Sequence, residues 1–209
     1  MKLIFALIFF TAGLITFADQ FTDELVDACH MGDIETVRDL IKRGADINAR
    51  DSSGNTPLGY AAMAGNSDIY ELLIKNGADF DLFDCSAAGD LQRVKELIAD
   101  KADINAINRY GSTALLLASW DKGVEVMELL LNNGANIDLQ NDQGRTALMS
   151  AAKNGQKKAV ELLLEYDANI HLKDSNEKTA LTWAQWHKAV DRTVAEEIAG
   201  ILINAGAKE

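Results

Sequence analysis

The sequence predicts an all-α protein made of tandem helix-turn-helix repeats. The tripeptide Thr-Ala-Leu recurs at residues 113–115, 146–148 and 179–181, so its copies lie 33 residues apart. Leucine-rich triplets occupy residues 72–74, 129–131 and 162–164. The 209-residue chain contains 15 glycines and one proline, which favours helices joined by glycine turns over a loop-rich β fold.

The first 18 residues have the pattern of a secretory signal peptide. Lys2 precedes an apolar stretch over residues 3–18, which has small side chains at its third-last and last positions. The stretch is shorter than the roughly 20 residues that a membrane-spanning helix needs. We therefore expect cleavage after Ala18, which leaves residues 19–209 as the mature domain. The alternative is an uncleaved membrane tether, which Asp19 as the first mature residue would eliminate.

Charge and composition restrict the partners and the compartment. The chain carries 20 Lys and Arg against 32 Asp and Glu, a formal net charge of −12. Nucleic-acid binding depends on a basic surface, so we expect no nucleic acid partner. No Asn-X-Ser/Thr acceptor for glycosylation occurs. This favours a bacterial periplasmic or secreted protein over a eukaryotic secretory one.

Six repeats follow the signal peptide. In the regular repeats a threonine is expected to cap the first helix, and the apolar triplet of the second helix fills the core between layers. A glycine is expected where the second helix ends, because a left-handed residue is favoured there. The repeats span residues 21–50, 51–80, 81–107, 108–140, 141–173 and 174–209.

Three repeats depart from this pattern. The first lacks the threonine start, as expected of a capping repeat. In the third, 12 residues separate Gly77 from Gly89, whereas 21 separate the corresponding glycines before the second repeat, so about nine residues are missing. In the sixth, the apolar triplet lies 22 residues after Thr179, whereas the spacing in the fifth repeat is 16. We expect the six extra residues to lengthen its first helix or the turn around residues 187–194, giving an atypical C-terminal cap.

The motifs also carry a family resemblance. Residues 56–58 read Thr-Pro-Leu, and Gly-Ala-Asp or Gly-Ala-Asn recurs at residues 44–46, 77–79 and 134–136. Over residues 22–207 the chain resembles the ankyrin repeat, whose period is about 33 residues with a Thr-Pro-Leu-His-x-Ala core. The resemblance implies that each repeat is a short β-turn finger plus two antiparallel helices, stacked into a curved solenoid. The row of fingers is then expected to show a gap at the truncated third repeat.

Residue types that support catalysis or metal binding are scattered along the chain. His30 and His187 fall near opposite ends of the predicted array, and His171 falls in a loop of the fifth repeat. No phosphate-binding glycine loop, Gly-x-Ser-x-Gly or His-Glu-x-x-His motif occurs. We therefore expect no catalytic residues, no cofactor and no metal ion. The finger Asp and Asn side chains are expected to bond to turn backbone rather than to calcium.

Cys29 and Cys85 are predicted to be buried thiols. They take small positions on the first helices of repeats one and three, which are about 20 Å apart if repeats stack at the ~10 Å helix-packing distance. A disulfide needs Cα atoms within about 7 Å. The sequence therefore predicts that the two thiols do not pair.

The resemblance implies a binding surface. In ankyrin folds, partners contact the finger tips and the two residues that follow the small pair of the first helix. Carried over to this chain, the predicted partner-binding residues are Arg109, Tyr110, Trp120, Asp121, Gln143, Arg145, Lys153, Asn154, Trp186 and His187. Trp120 and Tyr110, with Arg109 and Arg145, are expected to form one patch, because these residue types are enriched at interface hot spots. The alternatives are that Trp120 packs on its own repeat and that the insertion covers Trp186; Trp183 is expected to pack between layers.

The sequence therefore predicts a non-enzymatic protein–protein interaction module. We expect a monomer that binds another protein through a concave face and finger tips, outside the cytoplasm and free of the membrane once the signal is removed. A periplasmic binder of an envelope protein, an exported effector and a membrane-tethered scaffold stay open as versions of this function. An enzyme with an unrecognised carboxylate site would instead need a deep pocket with convergent titratable groups.

Overall fold

The structure is a computed structural model, and it describes residues 21–51, 54–120, 123–186 and 192–208. The predicted signal peptide, residues 1–18, lies outside these ranges. All regular secondary structure in the described ranges is α-helical, so the all-α prediction is confirmed. None of the helices in these ranges combines the length and the apolarity that crossing a lipid bilayer requires.

Twelve helices follow one another in the described residues, and two of them fall within the bounds of each predicted repeat. They are α1 (21–31), α2 (Ile34–Lys42), α3 (Pro57–Met63), α4 (Ser67–Lys75), α5 (Leu82–Ala88), α6 (Leu91–Ala99), α7 (Ala114–Ala118), α8 (Val124–Asn132), α9 (Ala147–Lys153), α10 (Lys157–Glu165), α11 (Ala180–Trp186) and α12 (Arg192–Asn204).

The helix starts and ends follow the local sequence. The Oγ1 atoms of Thr56, Thr113 and Thr146 accept hydrogen bonds from backbone N–H groups three residues on, at 3.0, 3.2 and 3.3 Å. Each threonine therefore satisfies an N–H group that has no partner within the helix. After α4 and α8, Gly77 and Gly134 take φ angles of +90° and +89°, the left-handed conformation that favours glycine. Both features confirm the predicted helix boundaries.

The chain divides into two compact units, Met1–Phe80 and Asp81–Glu209. The division falls at the truncated third repeat. Residues 76–81 join α4 to α5, whereas the longer segment 100–113 joins α6 to α7 and contains a finger. Asp81 caps α5 directly by accepting hydrogen bonds from Phe83 N and Asp84 N, both at 2.9 Å. The third repeat therefore begins without a finger, as the spacing predicts.

The apolar triplets form the cores of both compact units. The central residue of each triplet is fully buried: Leu73 in the first unit, and Leu130, Leu163 and Leu202 in the second. In the second unit a continuous cluster of buried residues extends from α5 to α12. Burying a leucine is worth about 1.5–3 kcal/mol. The triplets therefore stabilise the stacking of neighbouring repeats, since no single repeat encloses them.

Polar side chains join the linkers of consecutive repeats within each unit. Asn48 Oδ1 accepts a hydrogen bond from Asp79 N at 2.9 Å, and Asn105 Oδ1 accepts one from Asn136 N at 2.7 Å. The two partners are 31 residues apart in both cases. Each bond satisfies a backbone N–H just beyond the end of a second helix. It also sets the register between neighbouring repeats.

The sixth repeat differs in its second helix. Helix α11 has 7 residues, like α9, but α12 has 13 residues where α10 has 9. Residues 192–194 of the predicted insertion belong to α12, so this part lengthens the second helix and not the first. Residues 187–191 lie outside the described residues.

Both cysteines are buried in the first helices of their repeats, as predicted. Desolvation by burial raises the pKa of the Cys29 thiol to about 12. At neutral pH Cys29 is therefore a protonated, apolar side chain and not a nucleophile.

Candidate partner-binding site

The site rests on the way the fingers of repeats four to six are built. Each finger starts with Asn108, Asn141 or Asp174, whose Oδ1 atom accepts hydrogen bonds from the backbone N–H groups two and four residues on. The distances at Asp174 are 2.8 and 3.0 Å. These bonds confirm the predicted turn role of the finger Asp and Asn residues. They also hold the backbone of the residue that precedes the capping threonine in place. This residue is Arg145 in repeat five and Lys178 in repeat six.

Neighbouring fingers are tied together by backbone hydrogen bonds. Asp142 N donates to Tyr110 O at 3.2 Å, and 33 residues later Ser175 N donates to Gln143 O at 2.9 Å. Gly144 permits this approach, because a Cβ atom there would lie 2.8 Å from Ser175 N. The fingers are therefore held in register, which places equivalent side chains of repeats five and six side by side.

A buried carboxylate and a buried indole lie at the base of the sixth finger. Asp174 is 3% exposed and Trp183 is 5% exposed. Trp183 Nε1 donates a hydrogen bond to Asp174 Oδ2 at 3.0 Å. The bond satisfies an indole N–H that would otherwise be costly to bury. Trp183 is therefore buried, as expected, and it is held in one orientation by a finger residue.

Three positively charged side chains converge on the Trp183 ring. The guanidinium carbon of Arg145 lies 4.7 Å from the ring centroid, Lys178 Nζ lies 4.5 Å from it and Lys153 Nζ lies 5.4 Å from it. These distances are within the range of cation–π attraction. We use the name Trp183 cluster for Arg145, Lys153, Asp174, Lys178, Trp183 and Trp186.

Trp186 brings an exposed aromatic surface to the Trp183 cluster. Its ring meets the Trp183 ring edge to face, with centroids 5.7 Å apart and an angle of 73° between the planes. Lys178 Nζ lies 3.1 Å from the Trp186 centroid. Trp186 is nevertheless 63% exposed. The Trp183 ring and the Lys178 ammonium therefore contact the Trp186 indole, while most of its surface is open to solvent.

Positive charge exceeds negative charge in the Trp183 cluster. Its single carboxylate, Asp174, lies 3.9 Å from Arg145 Nε, too far for a hydrogen bond. Within the part of the chain that the structure describes, Arg145 Nε is buried and makes no hydrogen bond. Burial and the charge of Arg145 lower the pKa of Lys153. Arg145 and Lys153 therefore repel each other, and the cluster contains one carboxylate for its three cations.

Five of the predicted partner-binding residues lie together in two places. Arg145, Lys153 and Trp186 come together in the Trp183 cluster. The fourth finger carries Arg109 and Tyr110, which are exposed and stack on each other, with the guanidinium carbon 4.8 Å from the ring centroid.

The remaining predicted residues are spread over repeats four to six. Trp120 is half-buried after α7, and its backbone oxygen accepts a hydrogen bond from Gln156 at 3.2 Å. Gln143 is exposed on the fifth finger, and Asn154 is half-buried after α9. Asp121 and His187 lie outside the described residues. The expected patch paired Arg145 with Trp120, whereas in the structure Arg145 covers the Trp183 ring.

The prediction omits three members of the Trp183 cluster: Asp174, Lys178 and Trp183. A signal for two of them is present in the sequence. Asp174 and Trp183 are nine residues apart, and the same spacing separates Asp51 from Tyr60 in repeat two. Tyr60 Oη donates to Asp51 Oδ2 at 2.7 Å. An acid at the finger start, with an aromatic donor nine residues later, therefore marks this local arrangement.

A shallow depression lies elsewhere, in the first compact unit. It has a volume of about 310 Å³ and is lined by Gly32, Ile34, Gly65, Asn66, Ser67, Asp68 and Ile69. Asp68 is the one ionisable side chain among these residues, so the depression lacks convergent titratable groups. Among the described residues, no group of three or more His, Cys, Asp or Glu side chains is arranged to hold a metal ion.

Two family models match the chain. The model described as ankyrin repeats (3 copies) matches residues 82–174 and 121–208. The model described as ankyrin repeats (many copies) matches residues 25–81. Together the matched segments include every helix of the second compact unit and most of the described part of the first.

Similar segments occur in much longer curated proteins. The "Ankyrin repeat domain-containing protein SAT10" of Stachybotrys chartarum is 37% identical over 119 residues, which are 53% of this chain and 6% of that protein. The "Protein VAPYRIN-LIKE" of Medicago truncatula is 30% identical over 122 residues, 54% of this chain and 26% of that protein. The "Protein glp-1" of Caenorhabditis elegans is 35% identical over 115 residues, 48% of this chain and 9% of that protein. The matched segments therefore span about a quarter or less of these relatives.

Proposed function

The chain belongs to the ankyrin repeat family, and on that premise we propose that it is a non-enzymatic module that binds a partner protein. Ankyrin repeats generally mediate protein–protein interaction. In this proposal the partner contacts the finger tips and the concave side of the repeats. The Trp183 cluster is the anchor of that contact.

The observation that carries the proposal is the exposed indole of Trp186. A large aromatic side chain that is 63% exposed gains apolar contact when a partner covers it. Trp183 and Lys178 already restrict its orientation, so binding costs little side-chain entropy. Trp and Arg dominate the binding energy of interfaces, and Arg145 lies within the same cluster.

The proposed location of this interaction is outside the cytoplasm, in the periplasm or the secreted fraction. The signal-peptide pattern of residues 1–18 supports this location. The protein would then act there as a monomer, either on an envelope protein or, as an exported effector, on a host protein. An uncleaved N-terminal segment would make it a membrane-tethered scaffold with the same binding face.

The test is affinity capture with the full mature chain, followed by reconstitution with the purified partner that the capture identifies. We expect Trp186→Ala to weaken the reconstituted complex about 30-fold, because loss of a hot-spot side chain costs about 2 kcal/mol. The dissociation constant is measured by isothermal titration calorimetry.

Trp120→Ala is the matched control, because Trp120 occupies the same repeat position as Trp186, seven residues after the capping threonine. It also tests the patch that the sequence predicts around Trp120. If neither substitution changes the affinity for the same partner, the proposed binding face is wrong. If no partner forms a reconstituted complex with the unsubstituted chain, the proposed function itself is wrong.

A further inference from the structure

We propose that the Trp183 cluster binds an extended acidic segment of the partner protein. The segment's Asp or Glu carboxylates pair with the three cations, and its apolar atoms lie on the Trp186 indole. This inference rests on the proposed function and adds the chemistry of the partner.

Local charge is the first argument. Three cations and one carboxylate make the Trp183 cluster a positive site in a chain whose formal net charge is −12. The repulsion between Arg145 and Lys153 is relieved when anionic groups enter the site, because each carboxylate lowers the cost of keeping the positive charges together. An acidic ligand is therefore the complementary one.

The cluster also leaves hydrogen-bonding capacity open for a ligand. Asp174 already accepts two backbone hydrogen bonds at Oδ1 and the Trp183 indole N–H at Oδ2. The aromatic rings hold the cations by their faces and offer no lone pair to individual N–H groups. Lys153, Lys178 and the terminal nitrogens of Arg145 therefore retain donors for an incoming carboxylate, which forms charge-assisted hydrogen bonds.

Repeat geometry supplies the third argument. Arg145 and Lys178 occupy the same finger position in consecutive repeats, and Lys153 and Trp186 occupy the same helix position. Stacked helices lie about 10 Å apart, and an extended chain rises about 3.3 Å per residue. Equivalent positions of repeats five and six are therefore about three residues apart along an extended peptide. An acidic segment with carboxylates at that spacing reaches both repeats.

The same observations favour a peptide over other anions. A small inorganic anion would leave the Trp186 indole uncovered. A nucleic acid would be repelled over its length by a chain with 32 acidic residues against 20 basic ones. A short acidic peptide segment uses both the cations and the indole.

The experiment uses the mature full-length chain and a fluorescein-labelled peptide of about eight residues with glutamate at every third position. Fluorescence anisotropy is measured at about 50 mM and about 300 mM salt, because contact between charges weakens with screening. We expect Lys178→Gln to weaken peptide binding at least about tenfold. Lys178→Arg is expected to restore it. Lys158→Gln removes an equal charge from an exposed position of α10, outside the cluster, and is expected to change it less than about twofold.

Several outcomes would overturn the inference. The same peptide with glutamine in place of glutamate must bind much more weakly; equal binding refutes the role of carboxylates. Equal binding by Lys178→Gln and the unsubstituted chain refutes the site. Displacement of the peptide by a DNA oligonucleotide at equal concentration would show that the cluster binds nucleic acid instead. Self-association that Lys178→Gln abolishes would show that it binds a second copy of this chain.

Failure of the inference can be distinguished from failure of the proposed function. If the reconstituted partner complex depends on Trp186 but is insensitive to salt and to Lys178→Gln, the module binds a partner that is not acidic. In that case the proposed function stands and the inference is wrong.

Discussion

Repeats two and six contain the same polar pair in different surroundings. In repeat two, Tyr60 Oη donates to Asp51 Oδ2 at 2.7 Å; in repeat six, Trp183 Nε1 donates to Asp174 Oδ2 at 3.0 Å. The His30 ring lies beside the Tyr60 ring, with centroids 5.9 Å apart, whereas three cations face the Trp183 ring.

The difference lies at two positions of the repeat, one half-buried and one exposed. The residue before the capping threonine is Asn55 in repeat two and Lys178 in repeat six. The last residue of the first helix is Met63 in repeat two and Trp186 in repeat six. The finger turn forms with Asn or Asp at its start, as Asn108, Asn141 and Asp174 show, and it does not depend on the residues at these two positions. A binding site can therefore be added to one repeat without changing how the repeat folds.

The largest expected difference between the two repeats is in stability. Trp183→Ala removes a buried side chain and is expected to lower the free energy of unfolding by about 3–5 kcal/mol. Tyr60 is half-buried, so Tyr60→Ala is expected to cost less because less contact area is lost. Urea unfolding followed by circular dichroism measures both. Equal losses of unfolding free energy would show that the deeper burial of Trp183 does not make it more important for stability than Tyr60.

The acids at the finger starts, Asp51 and Asp174, are expected to differ in a second, smaller way. Asp174→Asn keeps the turn-forming Oδ1 but places an amide donor or a weaker acceptor opposite the Trp183 indole, which can only donate. We expect a loss of about 1–3 kcal/mol, because the indole N–H loses a charged acceptor and the cations lose their carboxylate. The measurement is again urea unfolding, monitored by tryptophan fluorescence.

Asp51→Asn is the matched control in repeat two. The Tyr60 hydroxyl can rotate and accept a hydrogen bond from the new amide, so the loss there is expected to be smaller than at Asp174. If Asp51→Asn costs as much as Asp174→Asn, the donor-only character of the indole does not explain the difference.

The features that the sequence predicts well depend on neighbouring residues. The cap at Thr56 and the left-handed turn at Gly77 follow from a few adjacent side chains, and the 33-residue period places them. The Trp183 cluster is harder to predict, because Arg145 and Trp183 are in different repeats and are brought together by finger stacking. Side-chain rotamers and the register between repeats decide which ring a cation covers. The repeat motif does not specify either of them.

The exposed fraction of a tryptophan is equally hard to predict from the repeat motif, as Trp120 and Trp186 show. They occupy the same position seven residues after the capping threonine, yet Trp120 is half-buried and Trp186 is 63% exposed. Repeat position alone therefore does not decide which tryptophan is available to a partner. The neighbouring finger residue differs as well: Ser112 precedes the threonine in repeat four, where repeat six has Lys178. A prediction of the site therefore has to consider the residue before the capping threonine together with the residue seven positions after that threonine.

The smallest expected effect concerns Lys153, which occupies the position of Met63 in repeat two. Because burial and Arg145 lower the pKa of Lys153 in the folded state, the charged ammonium opposes folding at neutral pH. Lys153→Met is therefore expected to raise the free energy of unfolding at pH 7, by less than about 1 kcal/mol because solvent screens a partly exposed charge. The gain should shrink as pH rises from the folded-state pKa towards the unfolded value of about 10.4.

Lys157→Met provides a control of opposite sign on the neighbouring helix. Lys157 Nζ donates to Glu197 Oε2 at 2.8 Å, and this hydrogen bond, with the charge of Glu197, raises the pKa of Lys157. The ion pair stabilises the fold below the unfolded pKa, and the contribution is lost as pH rises through the folded-state pKa. Lys157→Met is therefore expected to destabilise the fold at pH 7, and less so at high pH. Urea unfolding at neutral and strongly alkaline pH tests both substitutions. If both shift stability in the same direction at pH 7, burial and the charge of Arg145 do not distinguish Lys153 from an ordinary surface lysine.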